Sequence, residues 1–226
     1  MNKNNSVNPA TFEEIFDSIS GYIETHPELS NELVIAREDY FRLTGKLNET
    51  DASFTNRMNS FLLWFTFDWK CSDSLKSPFD HFKQSVFKGK TTSMNGELIT
   101  DIEEHVHSLF DTKKLTDHYA IVKDLYGKKK YEIIQPDYLY GSPKGTYFES
   151  RLFKINGKYR FSNYFIQHPL EVKKDIHKAC KQLSKKGDSI KPFLIHLHSY
   201  HTKWERYRNI NIKSIYHFDK SIPEAK

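Results

Sequence analysis

The apolar residues of this 226-residue chain change period near residue 108, and that change constrains the fold more than any other feature. Upstream, large hydrophobic residues recur at helical spacing. Downstream, they alternate, with β-branched and aromatic residues between turn signals. Helices followed by strands and then by helices again define an α+β chain. The expected architecture is an N-terminal helical part, a central small antiparallel β-sheet or partly open barrel, and two C-terminal helices.

The front half supplies the helices. Thr11 with Glu14 forms a capping box ahead of the stripe Phe12, Ile15, Phe16, Ile19 and Ile23, which His26-Pro27 ends. A second helix is expected over about 29–44, with Leu33, Ala36, Tyr40 and Leu43 inward and Gly45 as the stop. A third follows Asp51, with Phe54, Met58, Phe61, Leu62 and Phe65 inward. Trp64, Phe67 and Trp69 leave it almost no polar face, so it belongs at the centre of the helical part. Ser77-Pro78 opens a short helix through Phe87, residues 88–96 form a polar loop, and a further helix runs from Glu97 to about His107.

The alternating region gives strands at Tyr119–Val122 and Tyr131–Ile134, turned at Gly127. A hairpin pairs Thr146–Ile155 with Lys158–Ile166 through Asn156-Gly157, the signature of a two-residue type I′ turn. That turn sets Ile155 against Lys158, Phe153 against Arg160, Leu152 against Phe161 and Phe148 against Phe165. Phe148, Ser150, Leu152, Phe161, Asn163 and Phe165 then share a face that should be buried. Glu149, Arg151, Phe153, Arg160, Ser162 and Tyr164 share the other. Pro169 opens a helix with Val172, Ile176, Ala179, Cys180 and Leu183 inward, closed by Gly187. A last helix is expected over about 191–207, inward through Leu194, Leu197, His201 and Trp204. Residues 211–218 alternate as an edge strand would.

Hydrophobic content is only 38%, but 17 Phe and 13 Tyr bury enough area per residue to build a core. Residues 1–9 read as a disordered leader, 10–107 as an acidic helical region and 108–226 as a basic β module with C-terminal helices, packed as one unit. No apolar run is long enough to span a bilayer, and the N-terminus has no apolar segment of a signal peptide. Cys71 and Cys180 lie far apart, as reduced thiols would in a cytoplasmic protein.

The net charge of +5 hides a division. Residues 1–111 hold 10 Lys+Arg against 18 Asp+Glu, and residues 112–226 hold 24 against 11. A basic half of this strength points to an anionic partner.

The stretch Ala36-Arg37-Glu38-Asp39-Tyr40-Phe41-Arg42-Leu43-Thr44-Gly45, with Phe54, Arg57-Met58 and Phe61 through Asp68, resembles an uncharacterised protein family of myxobacteria and related predatory bacteria. Val122-Lys123-Asp124-Leu125, Tyr131-Glu132, Glu149-Ser150-Arg151-Leu152 and Tyr207-Arg208-Asn209-Ile210 are similar to the same family. The resemblance spans about residues 30–218 and implies one architecture rather than a fusion. It implies no established activity, cofactor or catalytic residue.

Catalytic and metal signatures are sparse. His196, His198 and His201 cluster, but on a helix only His198 and His201 share a face, and His201 lies on the apolar stripe; a core or interface role is the better reading. Glu104-x-x-His107 has di-iron spacing but occurs once. Gly141-Ser-Pro-Lys-Gly145 reads as a connection, and Cys180, one turn after His177, as a buried inert thiol. Asp137 with Glu149-x-Arg151 has the layout of Mg²⁺-dependent nucleases, with Arg where Lys would serve. No cofactor, metal ligand or catalytic residue is assigned.

Binding surfaces are better supported. Lys128, Lys129 and Lys130, the helix lysines Lys173, Lys174, Lys178, Lys181 and Lys185, and the hairpin residues Arg151, Phe153, Arg160 and Tyr164 are the candidates. Lysines contact phosphates, and rings on a sheet stack bases. The acidic half can also pair with the basic half, within one chain or in a homo-oligomer. The leading expectation is a non-enzymatic cytoplasmic interaction or regulatory protein. A nucleic-acid-binding protein that uses the basic half is the alternative, and a nuclease-like enzyme comes third.

Overall fold

The computed structural model describes residues 12–89, 96–134, 139 and 145–218. Five helices come first: α1 Phe12–Glu24, α2 Pro27–Thr44, α3 Phe54–Phe67, α4 Pro78–Phe87 and α5 Gly96–Glu103. Strands β1 Val106–Leu115, β2 Tyr119–Asp124, β3 Lys130–Ile134, β4 Tyr147–Ile155, β5 Lys158–Phe161 and β6 Ile166–Gln167 follow. A 3₁₀ turn at Leu170–Val172 leads into α6 Lys173–Lys186, α7 Lys191–Arg206 and α8 Ile212–Ile215. The α+β class is therefore the observed one.

Local chemistry explains several boundaries. Ser77 and Asp80 form a reciprocal capping box at α4, with Pro78 in the first turn. Gly187, at φ 75°, closes α6 in the left-handed conformation. Asn156 (φ 52°) and Gly157 (φ 76°) make the two-residue hairpin turn, and Ile155↔Lys158, Phe153↔Arg160 and Leu152↔Phe161 pair as the turn dictates. The predicted pairing of Phe148 with Phe165 does not form. β5 stops at Phe161, the chain swings out, and Phe148 pairs instead with Gln167 of β6.

The sheet is mixed, and its pairing path returns on itself. β1 pairs antiparallel with β2, β2 with β3, and β5 with β4, while β3 meets β5 in parallel and β4 pairs back onto β1. β1 serves both neighbours because it is ten residues long and bulged between Thr112 and Lys114. Inside this ring lie Phe110, Ala120, Val122, Tyr131, Ile133, Phe148, Leu152 and Phe161. The outer face of β4 is covered twice. Phe153 and Ile155 pack under α1, α3, α4 and α5, and Tyr147 packs under α6 and α7.

Three further expectations fail for packing reasons. The helix begun at Glu97 stops at Glu103, and His107 lies on β1, where the strand ladder with β4 claims it. Residues 211–218 are not a strand: Asn211 accepts from the Lys213 N–H, caps α8, and sends Ile215 and Tyr216 into the core beside α7. Leu43 of α2 is exposed rather than inward, and on α3 Leu62 is exposed whereas Arg57, Ser60 and Thr66 are buried, because α3 is apolar nearly all round and its neighbours choose the buried face. The leader at 1–9, Thr11, Asp137 and residues 141–144 lie outside the described residues.

Candidate functional site

Alternation on β1 and β4 puts His107, Leu109 and Asp111 on the outer face of one strand, and Tyr147, Glu149, Arg151 and Phe153 on that of the other. Arg151 pairs with His107 and Glu149 with Leu109. The C-terminal end of α3 and the middle of α7 close over this face. The result is a polar network in the interior, with Glu149 and Arg151 fully buried.

Glu149 Oε1 is its centre. His107 Nε2 lies 2.9 Å away from β1, and His198 Nε2 lies 2.6 Å away from α7. Tyr164 donates to the same oxygen at 3.4 Å and stands 2.9 Å from His107 Nε2. On its other side, His198 Nδ1 is 2.8 Å from the Tyr40 hydroxyl, which is 2.9 Å from that of Ser60. One hydrogen-bonded chain thus runs from α2 and α3 through α7 to β4 and β1.

Arg151 organises the second half. It donates to Asp68, at the end of α3, and to His105 Nε2 at 2.7 Å, while His105 Nδ1 is 3.1 Å from the Ile102 carbonyl. These partners assign the His105 proton to Nδ1, so the ring is neutral. The Arg151 guanidinium also lies 5.6 Å from the Phe67 ring centre. Asp68 Oδ1 is 2.6 Å from the ammonium of Lys191, which is more than half exposed at the start of α7.

The protonation states follow from burial and neighbours. Burial alone would raise the Asp68 and Glu149 carboxyls, but Arg151, His107 and Lys191 hold Asp68 well below the usual range. His198 and His107 do the same for Glu149. Burial outweighs the carboxylates at His105, depressed to about 3 by desolvation and then by Arg151. It also depresses His168 to about 4, and His201 to about 3 with His168 as the next cause. Desolvation raises Cys71 to about 11 and Cys180 to about 12, which keeps both as thiols.

Arg151, Phe153 and Tyr164 therefore cannot serve as an open binding face, a correction to the sequence-based expectation. Both faces of β4 are interior, one inside the ring of strands and one beneath helices. Arg160 is exposed but pairs with Glu13 at 3.1 Å. The Glu149 carboxylate is turned inward and held by two histidines, and Arg151 is committed to Asp68. No group of three His, Cys, Asp or Glu side chains among the described residues is arranged to hold a metal.

The remaining candidates lie on a second, open surface. Lys128, Lys129 and Lys130 are exposed at the turn between β2 and β3, and Lys174, Lys178, Lys181 and Lys185 on α6. Asp111 joins the two groups: Lys113 reaches it at 2.5 Å and Lys173 at 3.1 Å, and Lys123 is its cross-strand partner. Burial depresses His177 on α6, and Lys173, Lys113 and Lys123 deepen the shift against Asp111. On the outer side of β2 and β3, Lys123 faces Lys130 and Tyr119 faces Ile134, and Lys114 lies 4.7 Å from the Tyr119 ring centre. The sequence reading missed Lys113, Lys114, Tyr119 and Lys123. Their alternation with the inward Ala120 and Val122 was the available signal.

The acidic half is partly consumed within the chain. Asp68 pairs with Arg151 and Lys191, Asp101 with Lys154, Asp51 with Arg206 and Glu13 with Arg160. The five exposed α6 lysines, Lys174, Lys178, Lys181, Lys185 and Lys186, take part in no ion pair among the described residues. Among these residues no helix is long and apolar enough to cross a membrane. No family model, curated protein or solved structure matches the chain.

Proposed function

We propose that this is a non-enzymatic nucleic-acid-binding protein that holds a single strand across the outer face of β1–β3 and along α6. The observation that carries the reading is the convergence of Lys113, Lys123 and Lys173 on Asp111, which merges the sheet lysines and the helix lysines into one basic surface. Apart from Asp111, the paired acids of the front half neutralise bases elsewhere, and Lys128, Lys129, Lys130 and the exposed α6 lysines take part in no ion pair among the described residues. Lysines there contact phosphates, while Tyr119 and Ile134 offer flat apolar area to bases. The path β1-β2-β3-β5-β4-β1, with β3 and β5 parallel, supports the same reading. It is the connectivity of five-stranded oligonucleotide-binding folds, which take ligands on the β2–β3 face; the analogy is one of topology alone. The buried network is then the frame that fixes this sheet between two helical layers.

The test is an anisotropy titration of nuclease-treated protein with labelled single-stranded and duplex oligonucleotides over a range of salt. Binding should weaken steeply as salt rises, and each neutralised contact among Lys123, Lys130, Lys178 and Lys181 should lower the log–log slope by about 1. Absence of binding at low salt, or binding indifferent to these substitutions, refutes the proposal.

A further inference from the structure

We infer that the acidic face of α1 docks on the lysine face of α6 of a second copy, so that the protein self-associates head to tail. The two helices carry matching stripes. α1 exposes Glu13, Asp17, Ser20 and Glu24, and α6 exposes Lys174, Lys178, Lys181 and Lys185, at the same successive spacings of four, three and four residues. Such spacing keeps each set on one side of its helix. From residue 12 to residue 36 the chain holds Glu13, Glu14, Asp17, Glu24, Glu28 and Glu32 and no Lys or Arg, whereas α6 holds six lysines and one Asp.

The stripes do not meet within one chain. α1 packs on α2 and α4 in the core built by the N-terminal helices, and α6 packs in the core it shares with α7 and α8. No salt bridge joins α1 to α6 among the described residues. A face of one sign and a face of the other, at different places on one molecule, give a heterologous contact that repeats rather than a closed twofold dimer. An antiparallel crossing sets the acidic first turn of α1 beside Lys185 and Lys186 at the C-terminal end of α6, which both helix dipoles favour. Exposed ion pairs are individually weak and screened by salt, so the association is weak and confined to low ionic strength. It uses the α6 lysines that the proposed function gives to nucleic acid. A neighbouring copy therefore masks that part of the surface until a polyanion displaces it, and this masking alone rests on that reading.

Sedimentation velocity on nucleic-acid-free protein tests the inference. The weight-average sedimentation coefficient should rise with protein concentration at about 0.05 M salt and stay flat at about 0.5 M. Asp17→Lys/Glu24→Lys and Lys178→Glu/Lys181→Glu, all at exposed positions, should each abolish the rise with unchanged circular dichroism. An equimolar mixture of the two variants should restore it, because each then offers the complement of the other. A wild-type coefficient that stays flat at low salt overturns the inference, as does a rise that survives either reversal or a mixture that stays monomeric. None of these outcomes depends on whether oligonucleotides bind.

Discussion

Arg151→Met is the sharpest test of the buried network. The wild-type guanidinium is wholly buried and donates to Asp68 and to His105. Its loss leaves the Asp68 carboxylate, with a side chain only 6% exposed, facing the interior with Lys191 at Oδ1 and only the His107 ring, 3.9 Å away, at Oδ2. Removing one partner of a buried pair costs about 3–5 kcal/mol, because the other charge stays desolvated. With a urea m-value of about 2–3 kcal/mol/M, the unfolding midpoint should fall by about 1–2 M. Asp68→Leu/Arg151→Met should recover most of that loss, since a neutral pair of similar volume carries no desolvation penalty and Lys191 can turn to solvent. The assay is urea unfolding followed by tryptophan fluorescence and circular dichroism for wild type, both single variants and the double. A coupling of about 2 kcal/mol or more is expected from the cycle. A coupling below about 0.5 kcal/mol would refute the argument that Arg151 and Asp68 act as a unit.

Stability should also fall with acid, in two stages. His105 and His168 are neutral in the fold, with values near 3 and 4, against about 6.5 in an unfolded chain. Their contribution is complete above about pH 6.5 and is lost as pH falls through the folded values. Asp68 and Glu149 are depressed in the fold, so theirs is complete above about pH 4 and is lost below it. Urea midpoints measured from pH 8 to pH 4 should decline from about 6.5 downward; a flat profile would contradict the burial of these rings. Tyr40→Phe removes the hydroxyl between Ser60 and His198 and should cost about 1–2 kcal/mol in the same assay. Gly45→Ala should cost more than 1 kcal/mol by thermal melting, since φ is 96° and the added Cβ would stand 2.9 Å from Thr202 Cγ2.

Local signals were legible where local chemistry decides. Ser77-Pro78, Gly187 and Asn156-Gly157 each fix a boundary or a turn through caps and backbone conformations that two or three residues define. The hairpin register from Leu152 to Ile155 follows from the turn alone. The candidate site was legible only in part. Glu149 and Arg151 stood out as a charged pair on a strand, but His201 was the histidine expected inward, and it is His198 that meets Glu149. Alternation shows which residues share a face but not whether that face meets water. Arg151, Phe153 and Tyr164 therefore look available for binding in the sequence, whereas the helices packed on this face bury all three. Asp68, His105 and His107 come from segments that sequence periodicity treats separately.

By itself the sequence determined the α+β order, the helix caps, the hairpin turn and the division of charge, because each depends on neighbours within a few positions or on composition. Only the tertiary structure decided that β4 is buried on both faces, that α8 replaces an edge strand, and that Asp111 gathers lysines from sheet and helix. Those outcomes depend on which distant elements close over a surface. A strand with one charged face is equally consistent with solvent and with a buried partner of opposite charge. The partner here is Asp68, 83 residues away from Arg151 in the chain, and only packing brings the two together.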